Sequence, residues 1–531
     1  MIDLRKIIIE YPSSLKDMKS LFEILNKCYP NENDQIRKII LAYEWGVIVK
    51  IQRLTNPTIE SIEILAISLA ETRGLEVSEA IGVILQWMNA FGLELENNTG
   101  YSDDMIVEGD PKAFIVSNVD EDSVEIKEFC GFDEEYIVIP NLIGGKKVIG
   151  IGKGAYKNLK KVKKIQITEG INYLGASVFS GCSLLTEIEL PQSLEQIGVE
   201  GENEESEIVE NTNNQIDDEQ NCIYVLGRKI SLCDYDEEDY KNINKGVFKG
   251  TLIEHIILPN RVKQIGKGAF ANMIQLSSIK LPDELFEIPD YCFFNCEKLE
   301  SVIIPKEVSI LGVQAFKRCR NLQSINIPPN ATMIDEQVFM KCTKLRRVIF
   351  EGKITNICKE AFKFSGIEEI ELPGTIKYME ESIFAYCDAL RQVRIRRGIQ
   401  YIPEKCFYEC FNLENIDLPI TIMTIGKKAF EGCKELKKVT VPSSVQVIRE
   451  AAFRNSGLEE LTLKEGLFTI EQDSFANCSL SGDIVLPKTL TNIACNCFNG
   501  NYGINFLCYI GSEGLMFAKK NEFDYANAEN R

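Results

Sequence analysis

Apolar residues recur with a period of 22 or 23 residues along most of the 531-residue chain. The most regular position is aromatic, and it is occupied by Tyr156, Phe179, Phe248, Phe270, Phe293, Phe316, Phe339, Phe362, Phe384, Phe407, Phe430, Phe453, Phe475 and Phe498. Such a period is typical of a solenoid, in which each repeat buries its apolar face only by stacking on its neighbours. Each repeat is termed a rung below, and the aromatic residues predict fourteen rungs.

Each rung has the same internal pattern, as shown by the rung that follows Phe407. Leu413 lies six residues after the aromatic residue, and Ile416 and Leu418 lie nine and eleven residues after it. A spacing of two predicts a β-strand, which the following proline ends in most rungs. A second short extended segment then leads to Ile425, five residues before the next aromatic residue. The pattern predicts two short strands per rung.

The rung at 413–430, LENIDLPITIMTIGKKAF, resembles the BspA-type leucine-rich repeat. The resemblance covers about 130–525. It implies a curved stack with a parallel β-sheet on its concave face, a surface that such repeats use to bind proteins or matrix. It implies no catalytic chemistry and no cofactor.

The first 97 residues lack this period and show helical periodicity instead. Helices are predicted over roughly 14–28, 34–51, 57–72 and 78–91, and the last of them shows a short resemblance to a bacterial helical domain. We therefore expect an α+β protein, with a small N-terminal α-helical bundle followed by a leucine-rich-repeat solenoid. The expected divisions are a bundle at 1–97, a linker and lead-in at 98–129, the solenoid at 130–525 and a tail at 526–531.

An acidic insertion at about 199–242 separates Phe179 from Phe248. Residues 199–239 contain fourteen carboxylates and two basic residues, Arg228 and Lys229. Such charge density predicts a solvated surface loop, within which Cys222–Leu226 is apolar enough to form a strand. The alternative is an electrostatic arm for a basic partner or for a basic patch of the chain itself.

The cysteines follow the repeat. Eight of the eighteen lie three residues after the aromatic residue, at Cys182, Cys296, Cys319, Cys342, Cys387, Cys410, Cys433 and Cys478. Threonine or serine replaces cysteine there in three 22-residue rungs, so the pattern favours a column of reduced, buried thiols. Zinc binding by Cys292 with Cys296, or Cys406 with Cys410, is the weaker alternative, and we expect no metal site. The spacing also leaves disulfides between neighbouring rungs open in an oxidising compartment.

The net charge and the motifs of the chain argue against several classes of function. The only histidine is His255, which is expected on the surface, and no nucleotide-binding or catalytic motif is present. A net charge of −20 and a pI near 4.9 disfavour nucleic acid and anionic membranes. The start of the sequence resembles no secretory signal, and no apolar run is long enough for membrane insertion. We therefore expect a cytoplasmic protein that is not an enzyme, with cell-surface display by a non-classical route as the alternative.

The candidate binding site lies on the concave sheet, where side chains eight and ten residues after each aromatic residue should point outward. Isoleucines recur there on alternate rungs. Beside them is an arginine-rich segment, which comprises Arg346, Arg347, Arg391, Arg394, Arg396 and Arg397. The predicted site consists of Ile257, Ile303, Arg347, Ile349, Arg391 and Arg394, since isoleucine framed by arginine is typical of interface cores. The predicted function is non-enzymatic binding of a protein partner. The alternatives are a BspA-type surface adhesin, or an enzyme with its chemistry in the helical bundle.

Overall fold

The computed structural model describes residues 4, 6–7, 18–30, 32–52, 59–73, 75, 77–91, 106–199, 222–225, 228–231 and 246–530. Helices come first along the chain and a parallel-strand solenoid follows, which confirms the predicted fold class.

The N-terminal helices are α1 (Met18–Cys28), α2 (Asn33–Glu44), α3 (Val47–Gln52), α4 (Ile59–Arg73) and α5 (Val77–Ala90). The single helix predicted over 34–51 is wrong, because the chain breaks between α2 and α3. Gly46 adopts a positive φ of 83° there, a conformation that glycine accepts without strain, and its N–H bonds to the Tyr43 carbonyl. Trp45 and Trp87 are both buried in the core of this module.

The first strand row of the solenoid follows the leucine of each rung and is the row expected on the concave face, the name that is kept for it below. Its strands are Tyr136–Ile139, Lys164–Ile167, Glu187–Glu189, His255–Ile257, Ser278–Lys280, Ser324–Ile327, Arg347–Phe350, Glu369–Leu372, Gln392–Ile395, Asn415–Asp417, Lys438–Val441, Glu460–Leu463, Gly482–Val485 and Ile504–Cys508. Neighbours that pair are parallel, and equivalent residues face each other, as Ser324 faces Arg347. Buried and outward side chains therefore form stripes that run along the stack.

A second row of parallel strands precedes each aromatic residue. Its strands are Lys146–Ile151, Tyr173–Gly175, Gln196–Val199, Gln264–Ile265, Glu287–Ile288, Ile310–Leu311, Met333–Ile334, Asn356–Ile357, Tyr378–Met379, Tyr401–Ile402, Thr424–Ile425, Val447–Ile448, Thr469–Ile470 and Asn492–Ile493. Most rungs thus contribute one strand to each row, which confirms the prediction of two short strands per rung.

Other elements close the two ends of the stack. The lead-in consists of the strands Glu108–Gly109, Phe114–Asn118, Ser123–Phe129 and Leu142–Ile143 with the 3-10 turn Pro111–Ala113. At the other end are α6 (Glu513–Lys520), the strand Asp524–Asn527 and the 3-10 turn Ala528–Asn530. Asp524–Asn527 pairs in parallel with Ile504–Cys508 and so extends the first row.

The aromatic residues form one continuous column through the core. From Phe248 to Phe498 each ring lies between 5.0 and 6.1 Å from the next, with interplanar angles of at most 18°. The column also contains Phe129, which stacks on Tyr156 at 4.9 Å and extends it by one ring beyond the predicted series.

The insertion leaves this column intact. Phe179 and Phe248 stack at 5.6 Å and 15°, although 69 residues separate them in sequence. Gln196–Val199, at the start of the insertion, pairs with Gln264–Ile265 of the following rung. The chain thus leaves the stack after Gln196–Val199 and rejoins it in the rung of Phe248. Within the insertion the structure describes an antiparallel pair, Cys222–Val225 with Arg228–Ser231, so the predicted strand is present.

The eight cysteines form the predicted buried column. Each thiol donates a hydrogen bond to the carbonyl of the preceding rung's aromatic residue, as Cys319 Sγ does to Phe293 at 3.1 Å. In the shortened rungs, the Ser365 and Ser456 hydroxyls lie 3.3 Å from the next cysteine sulfur. The small polar side chain at this position thus links each corner to its neighbour.

Candidate functional site

Two of the predicted isoleucines lie exposed on the concave face. Ile303 and Ile349 are 37% and 46% exposed. They lie two strands apart, roughly 10 Å, with Asn326 between them. The Asn326 amide bonds to the backbone of Ile304, at 3.3 Å to its N–H and 3.1 Å to its carbonyl. That side chain is thereby held flat against the sheet, which leaves both isoleucines accessible.

Several arginines of the arginine-rich segment form ion pairs with glutamates. Three of its arginines are paired with glutamates from neighbouring rungs: Arg346 with Glu368 at 3.1 Å, Arg391 with Glu414 at 2.8 Å and Arg396 with Glu371 at 2.7 Å. The pKa of Arg396 is raised by this hydrogen bond. The predicted cluster of cations is therefore neutralised in part by glutamates of neighbouring rungs.

Arg347 and Arg394 differ from these arginines. In the described part of the chain, neither guanidinium has a carboxylate within 4.0 Å, although Arg394 stands opposite Glu371 and Asp417 in the strand register. Both side chains are exposed. They are therefore available to a carboxylate from outside the chain.

The helical module packs on the same concave face, which the sequence did not predict. Helix α4 contacts the strands His255–Ile257 and Ser278–Lys280. Lys50 Nζ forms an ion pair with Glu300 at 2.9 Å and lies 4.5 Å from the centre of the Trp45 ring. The module thus covers the rungs just before Ile303.

This packing changes the accessibility of several outward positions. Ser278 and Ser301 are 7% and 2% exposed, although both point away from the core of the solenoid. Ile257 is half-buried at the same contact. The helical module therefore borders the predicted site on one side. Ile257 lies at the edge of its contact with the sheet, and Ile303 lies on the uncovered part of the sheet beside it.

His255 lies in this contact, so its prediction as a surface residue is wrong. Its Nδ1 is 2.8 Å from the Ser278 hydroxyl and 3.2 Å from the Ser277 hydroxyl, and burial lowers the pKa of the imidazole. The pair has the elements of a nucleophile and a base. Because Ser278 is buried beneath α4, its hydroxyl is closed to a substrate. The hydrogen bonds of His255 join two neighbouring rungs of the sheet.

The described residues contain no group of three or more histidine, cysteine or acidic side chains placed to hold a metal ion. Burial raises the pKa of Cys292 and of Cys296 above the ordinary value, which favours the protonated thiol over the thiolate that zinc requires. Cys406 and Cys410 are shifted in the same direction.

The stacked rungs and their parallel strand rows define a leucine-rich-repeat protein. The family model of the BspA type leucine rich repeat region matches residues 123–211, 241–368, 312–422 and 400–523, with six copies. These ranges span more than half of the chain, so the chain belongs to this family. A search of curated proteins found no match.

Solved structures that match the chain include bacterial repeat proteins. A leucine-rich repeat protein from Bacteroides ovatus is 23% identical, covering 73% of this chain and 95% of its own, with a TM-score of 0.52. The pneumococcal vaccine antigen PcpA is 17% identical over 80% of this chain and 98% of its own, with a TM-score of 0.43. In the described part of the chain, no helix has the length and apolar character to cross a membrane.

Proposed function

We propose that this protein binds a protein partner through the concave sheet beside the helical module, without catalysis. The proposed surface comprises the six predicted residues: Ile257 at the module's edge, Ile303 and Ile349 on the open sheet, and Arg347, Arg391 and Arg394 beyond them.

The observation that carries the proposal is the combination of exposed isoleucines with arginines that have no partner carboxylate. Burying Ile303 and Ile349 completely would stabilise a complex by roughly 1 to 2 kcal/mol in total, since part of each side chain is already covered. Arg347 and Arg394 present planar forks that bind carboxylates in two-point geometry. A partner with an apolar segment next to acidic residues complements this surface.

The proposal is tested by charge reversal on the sheet. The double variant Arg347→Glu, Arg394→Glu is compared with the wild type for capture of proteins from an extract of the cells that express it. The captured partner is then produced and titrated directly by calorimetry. We expect a loss of at least a hundredfold in affinity, because two favourable contacts become repulsive.

The matched control is Lys437→Glu with Lys438→Glu, which makes the same change of charge on the same sheet. Both lysines lie at the strand Lys438–Val441, four rungs after Arg347 and two rungs after Arg394. Each is paired with a glutamate of the next rung. This control should bind like the wild type. Equal loss in both variants would show only a general charge effect, and full binding by a folded Arg347, Arg394 variant would exclude this surface.

For location, we propose the cytoplasm. All sixteen cysteines that the structure describes are free, and most are buried as thiols, a state that a reducing compartment maintains. A surface adhesin of the BspA type is the alternative. Labelling intact cells with a membrane-impermeant reagent should leave the protein unmodified if it is cytoplasmic, whereas labelling would establish surface display.

A further inference from the structure

A groove of about 680 Å³ lies away from the concave face, where three successive rungs turn from the first strand row into the second. Its floor is formed by two turns that touch at Gly374 and Gly398. A Cβ atom at Gly374 would collide with the Arg397 carbonyl oxygen, and one at Gly398 with the Gly374 carbonyl oxygen. Gly398 also has a φ of +142°, which favours glycine. Glycine at both positions thus lets the two turns pack backbone against backbone beneath the groove.

The groove carries positive charge that the chain does not neutralise. Lys353 and Lys377 are the charged residues among the ten that line it, and neither has a carboxylate within 4.0 Å in the part of the chain that the structure describes. Many surface lysines of the solenoid are instead paired with a glutamate one rung away: Lys359 with Glu381 at 2.8 Å, Lys427 with Glu450 at 2.9 Å and Lys438 with Glu460 at 2.6 Å. In a protein of net charge −20, two such lysines in one recess favour an anionic ligand.

The other lining groups are aromatic or neutral hydrogen-bonding side chains. Tyr378 is 61% exposed, and Tyr401 is held in place because its hydroxyl accepts a hydrogen bond from the Met379 N–H at 3.1 Å. The Gln400 amide contributes donors and an acceptor. Ile376, the aliphatic member of the lining, is itself 1% exposed.

This composition favours a sugar over a peptide as the ligand. A peptide would need an open apolar pocket for a side-chain anchor, which the buried Ile376 does not provide. Tyrosine rings offer flat apolar faces to the C–H surface of a sugar ring, while amide and hydroxyl groups bond to its hydroxyls. The volume is within the range of small-ligand sites. We propose that the groove binds an acidic oligosaccharide, with Lys353 and Lys377 contacting the carboxylates of its uronate residues.

Calorimetric titration of the full-length protein tests this assignment. The probes are short galacturonate, alginate and hyaluronan oligosaccharides, with the uncharged methyl ester of the galacturonate oligomer and a tetraglutamate peptide for comparison. At least one uronate oligosaccharide should bind, and more weakly as salt is added. The methyl ester should bind at least tenfold more weakly, and tetraglutamate should not compete.

Two variants connect that binding to the groove. Lys353→Gln with Lys377→Gln should weaken it at least tenfold, and Tyr378→Ala should weaken it severalfold without changing the charge. The control is Lys263→Gln with Lys306→Gln, the same replacement at exposed lysines in the equivalent turns of other rungs, and it should bind normally. The proposal is overturned if no uronate oligosaccharide binds, if tetraglutamate binds equally well, or if the groove variants retain full affinity. None of these outcomes depends on the protein partner of the concave face.

Discussion

Replacing Phe362 with alanine should remove one ring from the middle of the aromatic column. Phe362 is fully buried and stacks on Phe339 and Phe384, each at 5.4 Å, with interplanar angles of 14° and 5°. Truncating a buried phenylalanine costs about 3 to 5 kcal/mol. Because two ring contacts are lost and the rigid rungs on either side limit collapse, we expect about 4 kcal/mol or more.

Phe364 provides a matched control two residues away. Its ring lies on the outside of the corner and stacks on Tyr386 at 4.7 Å, and it is only half-buried. Phe364→Ala should therefore cost about 1 kcal/mol, the value of an aromatic pair with little added burial. Both residues are replaced by alanine, so the difference between the two variants measures the column itself.

Hydrogen exchange read by mass spectrometry is the suitable assay, because the rungs of a solenoid are coupled mainly to their nearest neighbours. In Phe362→Ala, protection should fall most in the rung of Phe362 and in the two adjoining rungs, and recover toward the ends. Phe364→Ala should alter only local amides. Unchanged protection around Phe362, or equal effects of the two substitutions, would refute the role assigned to the column.

Three further predictions concern other parts of the chain. Burial raises the pKa of Cys182 and Cys478 to about 11, so the stabilisation of the folded state by these protonated thiols is complete below pH 9. It is lost as the pH rises toward 11, at about 1.4 kcal/mol per pH unit for each thiol. The melting temperature should fall steeply across this interval, and a melting temperature that does not change with pH would contradict the buried column. Replacing 200–240 with a short Gly-Ser linker should preserve the strand signal in circular dichroism, because Phe179 already stacks on Phe248 without it; loss of that signal would place the insertion in the core. A double-mutant cycle with Lys50→Ala and Glu300→Ala should give a coupling of about 1 kcal/mol, since the pair is partly buried; no coupling would mean that the helical module does not rest on these rungs.

The repeating part of the fold could be predicted because its signals are local and recur in every rung. The aromatic residue, the leucine and the two strands of each rung determine how the rungs stack. This register also indicates that the insertion lies between the rungs of Phe179 and Phe248. The backbone conformation of the corners was harder to predict from the sequence. Gln314 and Arg318, on either side of Phe316, both adopt a positive φ that their residue types do not signal. The stacked corner imposes this conformation.

The candidate site was harder to predict, because its accessibility depends on contacts between distant segments. Nothing in the sequence of α4 indicates that it packs on strands nearly 200 residues later, so Ser278, Ser301 and His255 were all expected to face solvent. The ion pairs of Arg346, Arg391 and Arg396 were missed for a related reason. These ion pairs join neighbouring rungs. Whether an arginine pairs with a glutamate or remains exposed depends on the conformation of its side chain, which the repeat pattern does not determine.

The most direct measurement of the central claim is site-specific photocrosslinking to the protein partner. A benzoylphenylalanine residue at Ser324, which stands beside Arg347 in the sheet, should form a crosslink with the bound partner. The same residue at Lys427, on an outer corner, should not. Crosslinks from Ser324 that disappear in the Arg347→Glu, Arg394→Glu background would establish the concave surface as the binding site. Crosslinks that form from Lys427 and not from Ser324 would contradict it.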